Sequence, residues 1–232
     1  MSDHSGSATA KDEGATLGEI VLIRHGQANS TAKTEEEYDR LSELGHQQAA
    51  WLGAHLRAHE APFDRVLTGS LRRHKETAAG MGDMGAAAEE DARWDEMDYY
   101  RLSQAMEDVH GVPHPTPEEF SDHVPKVMAA WQADTIRGRE SYASFAGRIA
   151  EALAAASAPG ARVLCVTSGG VIGTLIGQAL GLDTARTCHI LLPIRNSSVH
   201  RFQVRDEGTL LAGFNAHPHL DPPERAHART TY

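Results

Sequence analysis

Apolar residues fall along the chain in short runs separated by longer amphipathic stretches. Glu19–Ile23 (EIVLI) is a β-branched run cut off by Arg24-His25-Gly26, the pattern of a buried strand ending in a polar loop. From Ser42 to His59, Leu44, Ala49, Trp51, Leu52, His55 and Leu56 recur at spacings of three and four behind a capping serine, which predicts a helix. Pro62-Phe63-Asp64 introduces a second short strand, Arg65–Thr68, followed by a helix over Leu71–Ala79. The segment 111–125 carries Pro113, Pro115, Pro117 and Pro125 and is expected to be a loop, of the kind that lies over a site, leading into a helix near Glu118. Tyr142–Ser157 reads as a helix stopped by Pro159-Gly160. Arg162–Thr167 (RVLCVT) is a third buried strand, turned by Ser168-Gly169-Gly170 into an apolar helix over Val171–Leu180. Ser198–Val204 and Thr209–Phe214 pair as a hairpin across Asp206-Glu207-Gly208.

Strands alternating with helices predict an α/β layered domain whose core strands are largely parallel. Residues 1–17 are small, polar and aperiodic and are expected to be disordered. One domain then spans 18–220, and 221–232, with Pro222-Pro223, reads as a tail. In parallel sheets, ligands bind outside the carboxyl ends of the strands. Three polar clusters fall at three such ends: Arg24-His25-Gly26, Thr68-Gly69-Ser70 leading to Arg73, and Ser168-Gly169-Gly170.

Composition narrows the chemistry. The formal net charge of −10 makes the chain a poor generic nucleic-acid binder, so any phosphate chemistry must rest on a local basic site. No apolar run approaches the roughly 18 residues that span a bilayer, and the N-terminus has no basic and apolar leader, so no membrane association is expected. The two cysteines, Cys165 and Cys188, form neither a disulfide framework nor a zinc spacing, and a reducing, cytoplasmic location is expected. His217-Pro218-His219 lacks the partners of a metal site; neither a metal nor an organic cofactor is expected.

Each cluster has both a chemical and an ordinary structural reading. Arg24-His25-Gly26 offers a fixed cation, an imidazole that can act as nucleophile or base, and a backbone open to an anion; it also reads as a solvated loop. Arg72-Arg73-His74-Lys75 opens a helix, where cations oppose the helix dipole unless an anion is near; it equally reads as a solvated basic turn. Ser168-Gly169-Gly170 supplies a hydroxyl and backbone donors for an anion, or simply a tight turn and cap. Trp94-Asp95-Glu96-Met97-Asp98 gathers three carboxylates beside aromatic residues, which reads as a surface charge run.

Taken in order, these segments resemble the histidine phosphatase superfamily, the phosphoglycerate mutase-like proteins. Leu22-Ile23-Arg24-His25-Gly26-Gln27 is similar to the opening motif, and Leu41–Ala49 to the helix entry Leu-Thr/Ser-x-x-Gly-x-x-Gln-Ala. Val66–Ala78 is similar to the next motif, Ser-Ser-x-Leu-x-Arg-Ala-x-Gln-Thr-Ala. The resemblance implies a three-layer α/β/α sandwich with a mostly parallel central sheet. It implies a metal-independent phosphatase for a small-molecule phosphate monoester, with His25 phosphorylated during turnover and Glu96, rather than Asp98, as general acid. Arg24, Arg73, Ser168 and Gly169, with the Gly170 amide, would hold the phosphate. The same resemblance admits a mutase-type phosphotransferase or a weakly active or non-catalytic phospho-ligand binder. One departure stands out: the family reads Val-x-His-Gly-Gly where this chain has Val166-Thr167-Ser168-Gly169-Gly170, similar to a branch with Ser-Gly-Gly. Loss of that second histidine implies a weakened site, in which Ser168→His would raise turnover unless His219 or another side chain fills the space.

Overall fold

The computed structural model describes residues 17–29, 32, 34–85, 87–206 and 208–231. The segment expected to be disordered, 1–17, lies outside them apart from Leu17. In chain order the elements are β1 (Gly18–Arg24), α1 (Glu35–Tyr38), α2 (Glu43–His59), β2 (Arg65–Thr68), α3 (Arg72–Gly80), β3 (Glu89–Glu90), α4 (Tyr99–His110), α5 (Phe120–Gln132), α6 (Tyr142–Ala156), β4 (Arg162–Thr167), α7 (Gly169–Leu180), α8 (Thr184–Leu191), β5 (Val199–Arg205) and β6 (Gly208–Ala216). The six strands make one sheet in the order β3-β2-β4-β1-β5-β6. β3, β2, β4 and β1 run parallel, and the β5–β6 hairpin adds two antiparallel strands beyond β1.

Alternation along the central strands builds two cores. Ile20, Leu22, Val163, Cys165 and Phe202 face α6 and α7 through Phe145, Ile149, Ile172 and Ile176. Val21, Ile23, Leu164 and Val166 face α2 and α3 through Leu52, Leu56 and Ala78. A strand covered on both faces reads as a continuous apolar run, which is why EIVLI and RVLCVT show no alternation. The result is the three-layer α/β/α sandwich, its sheet mixed at one edge.

Two expectations for the fold are corrected. α5 starts at Phe120, close to the helix start expected near Glu118, but Pro125, counted with the loop segment, lies inside that helix. A proline within a helix costs about 3 kcal/mol. Val124, Val127, Met128 and Trp131 are buried at helical spacing on the same element, and burial of such side chains contributes about 1.5–3 kcal/mol each. Packing outweighs the proline. Residues 221–231, expected as a tail, are docked. Pro223–Ala228 form a 3-10 turn with Ala228 fully buried, and the Arg225 guanidinium lies over the Trp51 ring, 4.7 Å from its centroid. Gln48 Nε2 donates to the Ala228 carbonyl (2.7 Å) and to Thr230 Oγ1 (3.1 Å), while the Asn196 amide donates to the Thr230 carbonyl (2.9 Å). Hydrogen bonds to its backbone and to Thr230, with the Arg225–Trp51 contact, hold this segment, and they leave no hydrophobic period to read. Among the described residues no helix is long and apolar enough to cross a membrane.

Removing the Gln48 side chain tests that anchoring. Gln48→Leu leaves the Gln27 N–H and the Ala228 carbonyl without partners, at a cost of about 1–3 kcal/mol for each buried group. Urea unfolding should show a lower midpoint at unchanged slope; an unchanged midpoint would refute the role assigned to Gln48. A second outcome concerns pH. His200 receives a hydrogen bond from the Asn215 amide at Nδ1 and contacts Ser198 Oγ through Nε2, and burial pushes its pKa down to about 3. Burial, with His55, His217 and Arg225, does the same to His219, also to about 3. The unfolded chain therefore binds protons that the folded chain does not, and stability present above about pH 6.5 is lost as pH falls toward 3. Each such histidine contributes a slope of up to about 1.4 kcal/mol per pH unit. Thermal scans from neutral to acid pH should show this decline, shallower in His200→Gln; equal slopes would remove His200 as its source.

Candidate active site

β1 delivers Arg24 and His25 to the carboxyl edge of the sheet, and the loop after it is pinned from four sides. Its parallel partner β4 sets Arg24 opposite Thr167, whose carbonyl accepts from the His25 amide at 2.9 Å. From α3, Thr77 Oγ1 accepts from the Gly26 amide (3.0 Å) and donates to the Arg73 carbonyl (2.7 Å). From α2, Gln48 Oε1 accepts from the Gln27 amide at 2.7 Å. On the far side, Ser197 N–H and Asn196 Nδ2 both donate to the His25 carbonyl.

The imidazole of His25 is almost wholly buried, and its Nδ1 lies 2.7 Å from the Gly26 carbonyl. A carbonyl only accepts, so Nδ1 carries the proton and Nε2 presents a lone pair. Burial, and then the charges of Arg73 and Arg24 with His74 beside them, hold its pKa well below the usual 6.5. The ring is therefore neutral at pH 7 and nucleophilic at Nε2.

Two buried guanidinium groups flank it. Arg24 donates from Nη1 to the Ile194 carbonyl, and its Nε has no hydrogen-bond partner among the described residues. Burial lowers its pKa, opposed by Tyr38 and Glu96. Arg73, 1% exposed, donates from Nη1 to Glu35 Oε1 (2.7 Å) and Asp39 Oδ1 (3.1 Å), and its Nε is likewise unpartnered. Burial works against its charge, but Glu35, Tyr38 and Asp39 outweigh it and raise the pKa. Asp39 also accepts from the Arg72 and Arg73 amides at the start of α3. That carboxylate is the anion which a helix opening on Arg72-Arg73-His74-Lys75 requires.

Glu96 reaches the same corner. Its Oε2 accepts from the Gly170 amide at 2.8 Å and its Oε1 from the Met97 amide at 3.1 Å. The Gly170 amide, expected to face a phosphate, is thus taken by Glu96. A Cβ at Gly170 would stand 2.2 Å from Glu96 Oε1, so this approach needs glycine. Gly169 lies against Arg24: a Cβ there would be 3.5 Å from Arg24 Nε. Asp98 is engaged elsewhere, accepting from the Arg101 amide as the cap of α4 and pairing with Arg101 (3.2 Å) and Arg139 (2.8 Å). It lines an outer cavity of about 450 Å³ with Glu35, Tyr100, His114 and Arg139.

Ser168 is fully buried, and its Oγ lies 2.6 Å from Nε2 of His74, whose ring centroid is 5.7 Å from that of His25. The space near Ser168 is filled by His74 and not by His219, which pairs with Ser197 at 2.8 Å. The structure thus gathers His25, Glu96, Arg24, Arg73, Ser168 and Gly169 at one edge of the sheet. Sequence reasoning gave no role to His74, Glu35, Asp39 or Gln48. For His74 a signal was present, because it stands where the motif has alanine; the short α1 that carries Glu35 and precedes Asp39 has no apolar period to reveal it.

The fold recurs in solved structures. A phosphoserine phosphatase of Entamoeba histolytica in complex with phosphoserine superposes with a TM-score of 0.65 at 20% identity, covering 88% of this chain and 99% of its own. A mycobacterial glucosyl-3-phosphoglycerate phosphatase gives 0.61 at 23% identity, covering 85% and 98%. A Bacillus stearothermophilus protein, YhfR, gives 0.64 at 22%, covering 87% and 98%. A comparison with curated proteins finds no match. The sequence profile of the histidine phosphatase superfamily, branch 1, matches residues 20–217, across β1 and the strand ends that carry the site, and the chain belongs to that superfamily.

Proposed function

We propose that this protein is a phosphatase that hydrolyses a small phosphate monoester through a phosphohistidine at His25. One observation carries the reading: a neutral, buried imidazole with an unprotonated Nε2 stands beside two buried guanidinium groups, each with an Nε–H that finds no acceptor among the described residues. Buried unpaired donors cost about 1–3 kcal/mol each, and a phosphoryl group brings acceptors for both. Guanidinium also suits the planar, two-point recognition of its oxygens.

In the first step Nε2 of His25 forms a bond to phosphorus as the ester P–O bond breaks, and Glu96 gives its proton to the leaving oxygen. In the second, water attacks the phosphohistidine, Glu96 takes a proton from it, and phosphate leaves with His25 restored. Arg24 and Arg73 stabilise charge on the equatorial oxygens, a demand that dominates phosphoryl transfer. These cations supply the charge stabilisation without a metal. The Gly170 and Met97 amides orient Glu96, whereas Asp98 is occupied as a helix cap and ion-pair partner. The outer cavity receives the alcohol portion of the ester. Phosphoserine and glucosyl-3-phosphoglycerate phosphatases among the similar structures support a small phosphorylated molecule as substrate. The Ser-Gly-Gly turn marks the branch, and two buried thiols fit a reducing cytoplasm.

A screen of phosphate monoesters in EDTA tests this reading. The wild type should release phosphate and take up acid-labile, alkali-stable label, and His25→Ala should do neither. Label retained in that variant would overturn the mechanism. Glu96→Gln should slow esters of poor leaving groups by about 10²–10⁴-fold and acidic phenyl esters far less; equal losses would remove Glu96 as the acid. Because His25 is held neutral well below pH 6.5, kcat/KM should not fall as its ordinary titration range is crossed from above. A loss centred near that value would refute the depressed pKa.

A further inference from the structure

Ser168 occupies the cap position of α7, yet its side chain makes no capping hydrogen bond. The second amide of the helix, Gly170 N–H, is satisfied by Glu96 instead. The Ser168 hydroxyl is turned away from the helix it precedes and meets Nε2 of His74 at 2.6 Å, between two fully buried side chains 94 residues apart in sequence. A serine at a helix start ordinarily satisfies that start. Here another group has taken over the task.

The imidazole is seated for this contact. Gly69 leaves room for it, since a Cβ there would stand 2.2 Å from His74 Nδ1 and 2.7 Å from Asp95 Oδ1. Asp95 in turn accepts from the Ser70 and Leu71 amides and fixes the turn that aims α3, its Oδ1 3.8 Å from His74 Nδ1. His74 thus touches both Gly69 and Ser168, and at these three positions the chain departs from the motif it resembles: glycine for serine at 69, histidine for alanine at 74, and serine for histidine at 168.

We infer that His74 is a positioning residue: it donates from Nε2–H to the Ser168 oxygen, leaving the serine proton to a phosphoryl oxygen held beside His25. A hydroxyl has one proton and a phosphoryl group brings only acceptors, so a bound phosphoryl group selects this direction of the chain. Burial, and then the charge of Arg73, keep His74 neutral, with its pKa well below 6.5, so one N–H is available. Donors linked in series polarise one another, which strengthens the terminal hydrogen bond. This inference rests on the phosphatase reading, and it replaces the expectation that Ser168 merely weakens the site.

The test is a double-mutant cycle with rescue, using the full chain. H74A and S168A should each lower kcat/KM on a monoester by on the order of 10²-fold, and the H74A/S168A variant should lose no more than either alone. H74Q should recover most of the H74A loss, because the glutamine amide nitrogen stands near the place of imidazole Nε2 and donates in its stead; a purely space-filling histidine would not give that rescue. S168H should be slower than the wild type, because two imidazoles compete for one space, and adding H74A to it should restore rate. Wild-type rate in H74A, losses that multiply in the double variant, or an S168H variant faster than the wild type would each overturn the inference. Should the wild type hydrolyse no monoester, the phosphatase reading fails separately. Calorimetric affinity for inorganic phosphate in the same variants then decides the pair: shared weakening in H74A and S168A supports it, and unchanged affinity overturns it. H74Q with S168A provides the same comparison if H74A does not fold.

Discussion

The parallel pairing of β1 with β4 brings together two chain segments more than a hundred residues apart. Its register sets Ile23 against Val166 and Arg24 against Thr167, so the residues after each strand leave the sheet side by side. His25 and Ser168 share one corner for that reason. The pairing is enforced by burial on both faces: shifting either strand by one residue would exchange the side chains that face α6 and α7 with those that face α2 and α3. The geometry of the candidate site and the packing of the core are therefore the same constraint.

Burial at this corner also creates its electrostatics. Two guanidinium groups removed from water need compensating charge, because an isolated buried ion is costly. Arg73 obtains it from Glu35 and Asp39, whereas Arg24 finds a backbone carbonyl and the neighbourhood of Glu96 and Tyr38. The same cations, with burial, keep His25 neutral. A neutral imidazole with a bare Nε2 and guanidinium donors without acceptors among the described residues arise from one cause, the exclusion of water beside fixed positive charge. Glu35 belongs to this balance, since it rests on Arg73 from the short α1 and lines the outer cavity as well.

The turn after β4 shows how a small backbone opening is shared. Glu96 takes the Gly170 amide, which frees the Ser168 hydroxyl from capping and leaves it to His74. Glycines at 69 and 170 make both approaches possible, since a methyl at either would collide with the group it faces. The site is thus built from turns and caps at strand ends, while the sheet supplies rigidity.

The sequence by itself determined five of the six strands, all but the two-residue β3, and the order of the strand-end clusters; the family resemblance in its motifs named the main candidates, His25, Arg24, Arg73, Glu96 and Ser168. Continuous β-branched runs and Ser, Gly or Pro punctuation are local chemistry, and motif spacing carries across loops. Only the tertiary structure decided that Pro125 belongs in a helix, because the burial that overrides the proline comes from other elements. The docking of 221–231 was hidden because much of its hold comes from backbone carbonyl and amide groups, which are identical in every residue, and the rest from single contacts such as Arg225 over Trp51 that make no period. The partner of Ser168 was hidden for the same kind of reason. His74 is visible in the chain as one member of a basic run, and its contact across 94 residues exists only once α3 and β4 meet at the edge of the sheet.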